Sequence, residues 1–400
     1  MKIASINTSN YGSTGNIMLD VLKLAEERGH NVYSFCANAR ENKHKNVPHQ
    51  FFIGFPKERG MNYICETYSG LSGCFGIIGT YKLLKKLNEI NPDVLHLHNI
   101  HGWYINHPML FRWIKKRKIK VIWTLHDCWA FTGHCPHFEL IGCDKWKTGC
   151  HKCPQYNRYP KTKFDNSRIM YKLKKKWFTG VDDMTVVTPS KWLEKLVKES
   201  FLNVYNVKVI NNGIDLSKFK PTESNLRQEL GLENKYVLLG VASPWSDRKG
   251  LDVFVELSSR LSDEYKIVLV GLTKQQISEL PDNIMGIERT SNQTELAQYY
   301  SMADLFVNPT KEEVLGLVNI EALSCGTPVV TFNSGGSPEC IDKTTGVVVD
   351  KNDVSSMEKA IYDVVEDKLF NIDACVKRAV RFDKNNNYKE YINLYESYIN

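Results

Sequence analysis

Glu313 and Glu321 stand eight positions apart, on either side of Gly316, in the run Asp304–Ala322. That run begins as a short apolar strand, Leu305–Asn308, turns at Pro309 and opens a helix, Leu317–Cys325. The backbone N–H groups of Gly316, Leu317 and Val318 are then the unpaired donors of a helix start at the positive end of its dipole, a place that suits a phosphate. Beside a phosphate, two carboxylates serve as acceptors for sugar hydroxyls. Without one, they are an acidic first turn complementing the dipole, and spacing alone leaves both readings open.

Gly12, Ser13, Thr14 and Gly15 lie between the first strand and the first helix, where glycine permits close backbone approach to a ligand and a helix start adds N–H donors. The same residues read equally as a tight turn. They do not form G-x-G-x-x-G, so a nicotinamide site has little support. His126 and Asp127 follow the strand Val121–Leu125, at the carboxyl edge where open α/β sheets bind ligands. His96 and His98 alternate along Val94–His98 and share a face, which reads as packing rather than catalysis. Five of the eleven cysteines fall within Cys128–Cys153. Four of them, Cys135, Cys143, Cys150 and Cys153, have the spacing of a tetrahedral structural zinc site, with packed free thiols or disulfides as the alternatives. No Asp-x-Asp pair sits at a strand end, so no catalytic metal is expected.

The elements that position these groups follow from length and pattern. At 400 residues, 42% hydrophobic and 24% charged, the chain is that of a globular protein with two domains, not a collagen-like, disordered or small disulfide-rich one. No run approaches the ~20 apolar residues of a spanning helix. The chain enters a strand at once, Met1–Ile6, without the apolar core of a secretory signal, and a cytoplasmic location is expected. A net charge of +7 hides an asymmetry: cations exceed carboxylates in the first 200 residues, and the reverse holds in the last 200. Strands at 2–7, 30–36, 94–98, 121–125 and 185–188 alternate with helices at 16–28, 81–90, 108–116 and 167–178. The order restarts with strands at 207–210, 236–242, 265–270, 305–308 and 329–331, between helices at 190–198, 226–231, 251–261, 294–302, 317–325 and 355–365. The fold class is α/β, two Rossmann-like domains with parallel sheets, and the expected site is an inter-domain cleft. Asn386–Ile399 places Tyr388, Tyr391, Leu394, Tyr395 and Tyr398 on one helical stripe that must pack on something.

The segment from Glu313 to Glu321 resembles the E-x7-E signature of the retaining GT-B glycosyltransferases of family 4, and more narrowly those of bacterial capsular and colanic-acid polysaccharide synthesis. Asn212-Gly213-Ile214-Asp215, Thr188-Pro189-Ser190, Arg248-Lys249-Gly250, Gly326-Thr327-Pro328 and Gly335-Gly336-Ser337-Pro338-Glu339 agree in order. The resemblance implies a GT-B fold with an acceptor-binding domain over 1–188, a Cys-rich insertion at about 128–153, a nucleotide-sugar-binding domain over 189–382, and a C-terminal helix, 383–400, crossing back to the first domain. It implies that Glu313 contacts donor-sugar hydroxyls, that Glu321 holds the ribose, and that Gly316, Leu317 and Val318 receive the distal phosphate. His126 would contact the donor sugar, with Asp127 either orienting its imidazole or facing the acceptor, Gly12–Gly15 would lie under the diphosphate, and backbone near Arg289 and Thr290 would meet the base. Lys249 matches the family's cation over the diphosphate; where the family carries an Arg, this chain has Pro244, so either Arg248 supplies the second charge or Lys249 acts with helix dipoles alone.

The activity so implied moves a sugar, with retention and without a metal, from a UDP- or GDP-sugar to a saccharide acceptor on a polyprenyl diphosphate. Basic runs mixed with large apolar residues, Arg112–Lys118 and Lys172–Phe178, add an expected anionic membrane surface at the inner face of the plasma membrane, with Leu71–Leu84 as either an interfacial patch or core. No nucleic-acid module is visible. The alternatives are a non-catalytic nucleotide-sugar or glycan-binding subunit and a nucleotide-sugar epimerase on the same fold.

Overall fold

The computed structural model describes residues 1–45 and 47–398. The chain divides into two compact units, one of Met1–Ile210 with the segment from Tyr388 onward, the other of Asn211–Asn387. In the first, β1 (Lys2–Asn7), β2 (Asn31–Ala37), β3 (Gln50–Ile53), β4 (Val94–Leu97), β5 (Lys120–Thr124), β6 (Met184–Thr188) and β7 (Asn206–Val209) form a parallel sheet of order β3-β2-β1-β4-β5-β6-β7. Its helices are α1 (Gly12–Glu27), α2 (Glu58–Ser69), α3 (Ile77–Ile90), α4 (His107–Arg117), α5 (Ser167–Phe178) and α6 (Lys191–Glu199). In the second, β8 (Tyr236–Val241), β9 (Tyr265–Val270), β10 (Ile284–Ile287), β11 (Leu305–Asn308), β12 (Val329–Phe332) and β13 (Gly346–Val349) form a parallel sheet of order β10-β9-β8-β11-β12-β13. Around it stand α7 (Leu226–Glu229), α8 (Leu251–Arg260), α9 (Lys274–Ser278), α10 (Gln293–Met302), α11 (Leu317–Ser324), α12 (Val354–Glu366), α13 (Ile372–Ala379) and α14 (Lys384–Asn387). Parallel strands buried on both faces read as continuous apolar runs, and β4, β6, β11 and β12 are buried along their whole length.

Each sheet reverses its order once, between β1 and β4 and between β8 and β11, so each unit has a crevice beyond the carboxyl ends of those strands. The expected boundary at 188/189 moves to 210/211. β7 pairs with β6 in the first sheet, so residues 190–209 complete that unit rather than begin the next. Residues 383–387 stay with the second unit, where Ile214 N–H donates to Phe382 O and Lys384 N–H to Ile214 O.

The last helix, α15 (Lys389–Glu396), belongs to the first unit. Its tyrosine stripe packs Tyr388, Tyr391 and Tyr395 against Ile17, Met18 and Val21 of α1, as the sequence pattern requires. Each fully buried ring contributes about 2–3 kcal/mol of apolar burial. Residues 399 and 400 of the expected helix lie outside the described residues.

Candidate active site

In the second unit the turn Asp247–Lys249 follows β8 and is docked on the loop after β11. Lys311 N–H and Thr310 Oγ1 both donate to Arg248 O, at 2.8 and 3.2 Å. Gly250 must be glycine: its φ is +74°, and a Cβ there would lie 2.3 Å from Pro309 O. This docking carries Lys249 Nζ to 2.5 Å from Glu313 Oε2, at the order reversal between β8 and β11. Both side chains keep about a fifth of their surface open. Burial pushes the Glu313 carboxyl up, but Lys249, Arg248 and the Val314 N–H together hold it below the usual carboxylate range. The charge of Arg248 therefore reaches this site, whereas Pro244 lies exposed in the loop after β8.

Gly316 caps α11 in the left-handed region, φ +85°, with no side chain closing the helix start, so the N–H groups of Leu317 and Val318 lead the dipole. Asn319, buried and bonded to Asn308 Nδ2 at 2.7 Å, ties this start to the end of β11. Glu321, one turn on, accepts the Tyr300 hydroxyl at 2.9 Å, and burial raises its pKa to about 7. Tyr300 was not foreseen, because a tyrosine in a helical run carries no signal of what it will meet. Arg289 and Thr290 follow β10 at the same carboxyl edge, two strands beyond β8.

In the first unit Gly12, Ser13, Thr14 and Gly15 are the first turn of α1, not a loop before it. No side chain caps that turn. A Cβ on Gly15 would sit 2.6 Å from the Asn10 carbonyl carbon, so the chain between β1 and α1 folds back tightly on the helix. His126 stands after β5 as expected; its Nε2 lies 3.1 Å from Nδ1 of His98, not on Asp127. Burial lowers His126 to about 4, leaving a neutral imidazole. Asp127 instead pairs with His101, Nε2 to Oδ2 at 2.9 Å, and accepts Trp129 N–H at 2.8 Å. Against the effect of burial, the nearby His101 holds the Asp127 carboxyl at about 2. His96 is buried, as packing predicts, between Tyr395 OH at 2.6 Å and Thr124 Oγ1 at 2.8 Å.

Cys135, Cys143, Cys150 and Cys153 line one small cavity, with Gly133 N–H donating to Cys150 Sγ at 3.1 Å. Yet among the described residues no group of three His, Cys, Asp or Glu side chains is placed to hold a metal ion. Cys135 and Cys153 share a hydrogen bond, and none of the four cysteines forms a disulfide. Lys174, in the basic run expected at an anionic membrane surface, is fully buried; its Nζ donates to Trp129 O at 2.8 Å, and burial lowers it to about 7.

Residues 14–218, just over half of the chain, match the family model described as Glycosyltransferase Family 4. The chain belongs to that family. Residues 235–367 of the glycosyltransferase match Glycosyl transferases group 1. It is 24% identical over 405 residues to WcaC of Escherichia coli (strain K12), named for glycosyl transfer in colanic acid biosynthesis, covering 96% of this chain and 97% of that one. A D-inositol 3-phosphate glycosyltransferase of Mycobacterium sp. (strain JLS) is 28% identical over 193 residues, 45% of this chain and 44% of that one. Among solved structures, sucrose-phosphate synthase from Thermosynechococcus elongatus superposes with a TM-score of 0.72 at 17% identity, covering 99% and 98% of the two chains. Anabaena HepE, solved with UDP, gives 0.66 at 17%, covering 99% and 100%. The fold is GT-B, two Rossmann-like α/β domains.

Proposed function

We propose that this glycosyltransferase moves a sugar, with retention, from a nucleotide-sugar donor to a polyprenyl-diphosphate-linked saccharide in surface polysaccharide synthesis. One observation carries the donor half of this reading. Lys249 and Glu313 meet at the sheet's switch point, beside an uncapped helix start. As the sugar–phosphate bond breaks, negative charge gathers on the departing diphosphate. Lys249, Arg248 and the N–H groups at Gly316–Val318 neutralise it without any other group having to move. Glu313, kept ionised by Lys249, accepts hydroxyls of the donor sugar, and His126, a neutral imidazole, offers a hydrogen bond without carrying charge. The complex of HepE with UDP and the colanic-acid assignment of WcaC support the nucleotide and the pathway class.

Glu321 gives this reading a pH signature. A ribose hydroxyl donates best to an ionised carboxylate, and a group with pKa near 7 must lose its proton first. The parent's nucleoside diphosphate affinity therefore gains about 10-fold from pH 6 to pH 8 beyond any change in Glu321→Gln, whose own profile reports the ionisation of the diphosphate. Thermal shift with UDP, GDP and ADP across that range measures this and identifies the base. Absence of binding by every nucleotide would overturn the donor reading.

The acceptor half includes a membrane. No helix among the described residues is long and apolar enough to cross one. Instead α2 is built inside out. Glu58, Asn62 and Glu66 point inward and bind the backbone N–H groups of Gly79, Gly76 and Gly73, while Met61, Ile64 and Tyr68 are more than half exposed. Ile77, Ile78 and Tyr81 at the start of α3 are exposed likewise, with Lys82 and Lys85 following. Outward apolar side chains beside cations suit an anionic interface at the inner face of the plasma membrane. Replacing Met61, Ile64 and Tyr68 together by Ser should cut flotation with vesicles containing about 30% anionic lipid by at least ~10-fold. Flotation equal to the parent's would remove α2 from the docking surface.

A further inference from the structure

The first unit carries a second constellation that the donor chemistry leaves unused. The loop after β4 presents His101 and Trp103 at the β1/β4 switch point, where a ligand crevice is expected. Trp103 has φ +66°, an unusual conformation for a bulky residue that costs about 1–2 kcal/mol. Three bonds hold the loop there: Asn62 Nδ2 to Trp103 O at 2.9 Å, Arg59 Nε to Gly102 O at 3.1 Å, and Thr8 Oγ1 to His101 O at 2.5 Å. Strain sustained by so many partners marks a side chain being presented rather than buried.

What is presented is an aromatic edge. Tyr63 and Tyr159, 41% and 47% exposed, stand edge-on to the Trp103 ring at centroid distances of 5.0 and 5.8 Å. Next to it runs a polar line: Tyr159 OH lies 3.1 Å from His101 Nδ1, and His101 Nε2 2.9 Å from Asp127. A pyranose ring has one apolar C–H face and a rim of hydroxyls, and it needs this pairing of ring faces with fixed donors and acceptors. A lipid tail would cover the Tyr159 hydroxyl and the Asp127 carboxylate without offering either a hydrogen bond, and a phosphate would meet that carboxylate as well as the Arg59 guanidinium, 5.8 Å from the Trp103 ring, whereas a neutral sugar suits both charges.

We infer that Tyr63, Trp103 and Tyr159, with the His101–Asp127 pair, form the subsite that binds the sugar ring of the acceptor. The rings take its C–H face, the Tyr159 hydroxyl and the Asp127 carboxylate hold its hydroxyls, and His101, bonded to both, fixes where they stand. The inference rests on the glycosyltransferase reading and adds to it the chemistry of the acceptor's reacting end. Its test uses the full chain, saturated with the nucleoside diphosphate it prefers, and the methyl glycopyranosides of glucose, galactose, mannose and fucose, read by saturation-transfer NMR. At least one glycoside should bind. Tyr159→Ala and Trp103→Ala should weaken it by about 10-fold or more, and Trp103→Phe, which keeps a ring, should recover most of the loss. Tyr159→Phe separates stacking from the hydroxyl. The exposed Tyr159 carries the test if Trp103→Ala does not fold. Failure of all four sugars to bind, or unchanged binding by Tyr159→Ala, would overturn the subsite. Loss of nucleotide binding with glycoside binding intact would instead count against the donor reading.

Discussion

Lys249→Ala is expected to lower transfer turnover by about 10³-fold while the protein melts as the parent does. Removing one preorganised donor from a developing anion costs about 10²–10³ in rate, and here the donor carries a full positive charge. The variant has a second consequence. Glu313 is held ionised against burial chiefly by this lysine, so without it the carboxyl titrates at higher pH and loses its value as a hydroxyl acceptor near neutrality. At saturating donor, where the pH dependence of binding through Glu321 drops out, the residual turnover of Lys249→Ala should therefore climb with pH while the parent's stays level, and Lys249→Arg, which keeps the charge, should restore part of the rate. Single-turnover transfer from the donor identified by the nucleotide panel measures both. Turnover within about threefold of the parent would remove leaving-group stabilisation from this lysine and, with it, the proposed mechanism.

Most of the scaffold was legible in the sequence because parallel strands buried on both faces leave uninterrupted apolar runs. β1, β9, β11 and α5 fall where the pattern places them. The parts that were not legible share a physical cause: their side chains answer to tertiary partners rather than to local period. α2 reverses the usual polarity, since Glu58, Asn62 and Glu66 turn inward to bind backbone N–H groups of residues 73–79, so a search for an inward apolar stripe passes over it. β3, β10 and β13 are edge strands of four residues, none buried along its whole length as the equally short β11 is. At the candidate site, the eight-residue spacing of Glu313 and Glu321 and the position of His126 could be read directly. The pairing of Asp127 could not. His101 lies 26 residues upstream, and only the adjacency of β4 and β5 brings the two together.

The same dependence on tertiary partners makes Gly335 the most sensitive glycine near the donor site. It sits at φ +57°, and a Cβ there would lie 1.7 Å from the Glu313 carbonyl oxygen and 2.8 Å from its carbon. Both obstacles are backbone, so no side chain can swing aside to make room. Gly336 N–H also bonds that carbonyl at 3.0 Å, which makes the 334–337 turn the buttress that sets where Glu313 stands. In Gly335→Ala either the turn lifts away or Glu313 is displaced, and in both cases the 2.5 Å contact with Lys249 is lost. The expected cost is about 3 kcal/mol of stability together with a fall of at least ~10² in turnover, since a displacement of about 1 Å at a reacting centre has that effect. Gly231 supplies the control: its φ is +67°, but nothing lies within 4 Å of its Cβ position. Gly231→Ala therefore pays only the conformational term of about 1–2 kcal/mol and keeps its activity. Thermal melts and turnover of the two variants side by side isolate the steric contribution. If Gly335→Ala melts and turns over as Gly231→Ala does, the buttress is not needed and the placement of Glu313 is set by its bond to Lys249 alone.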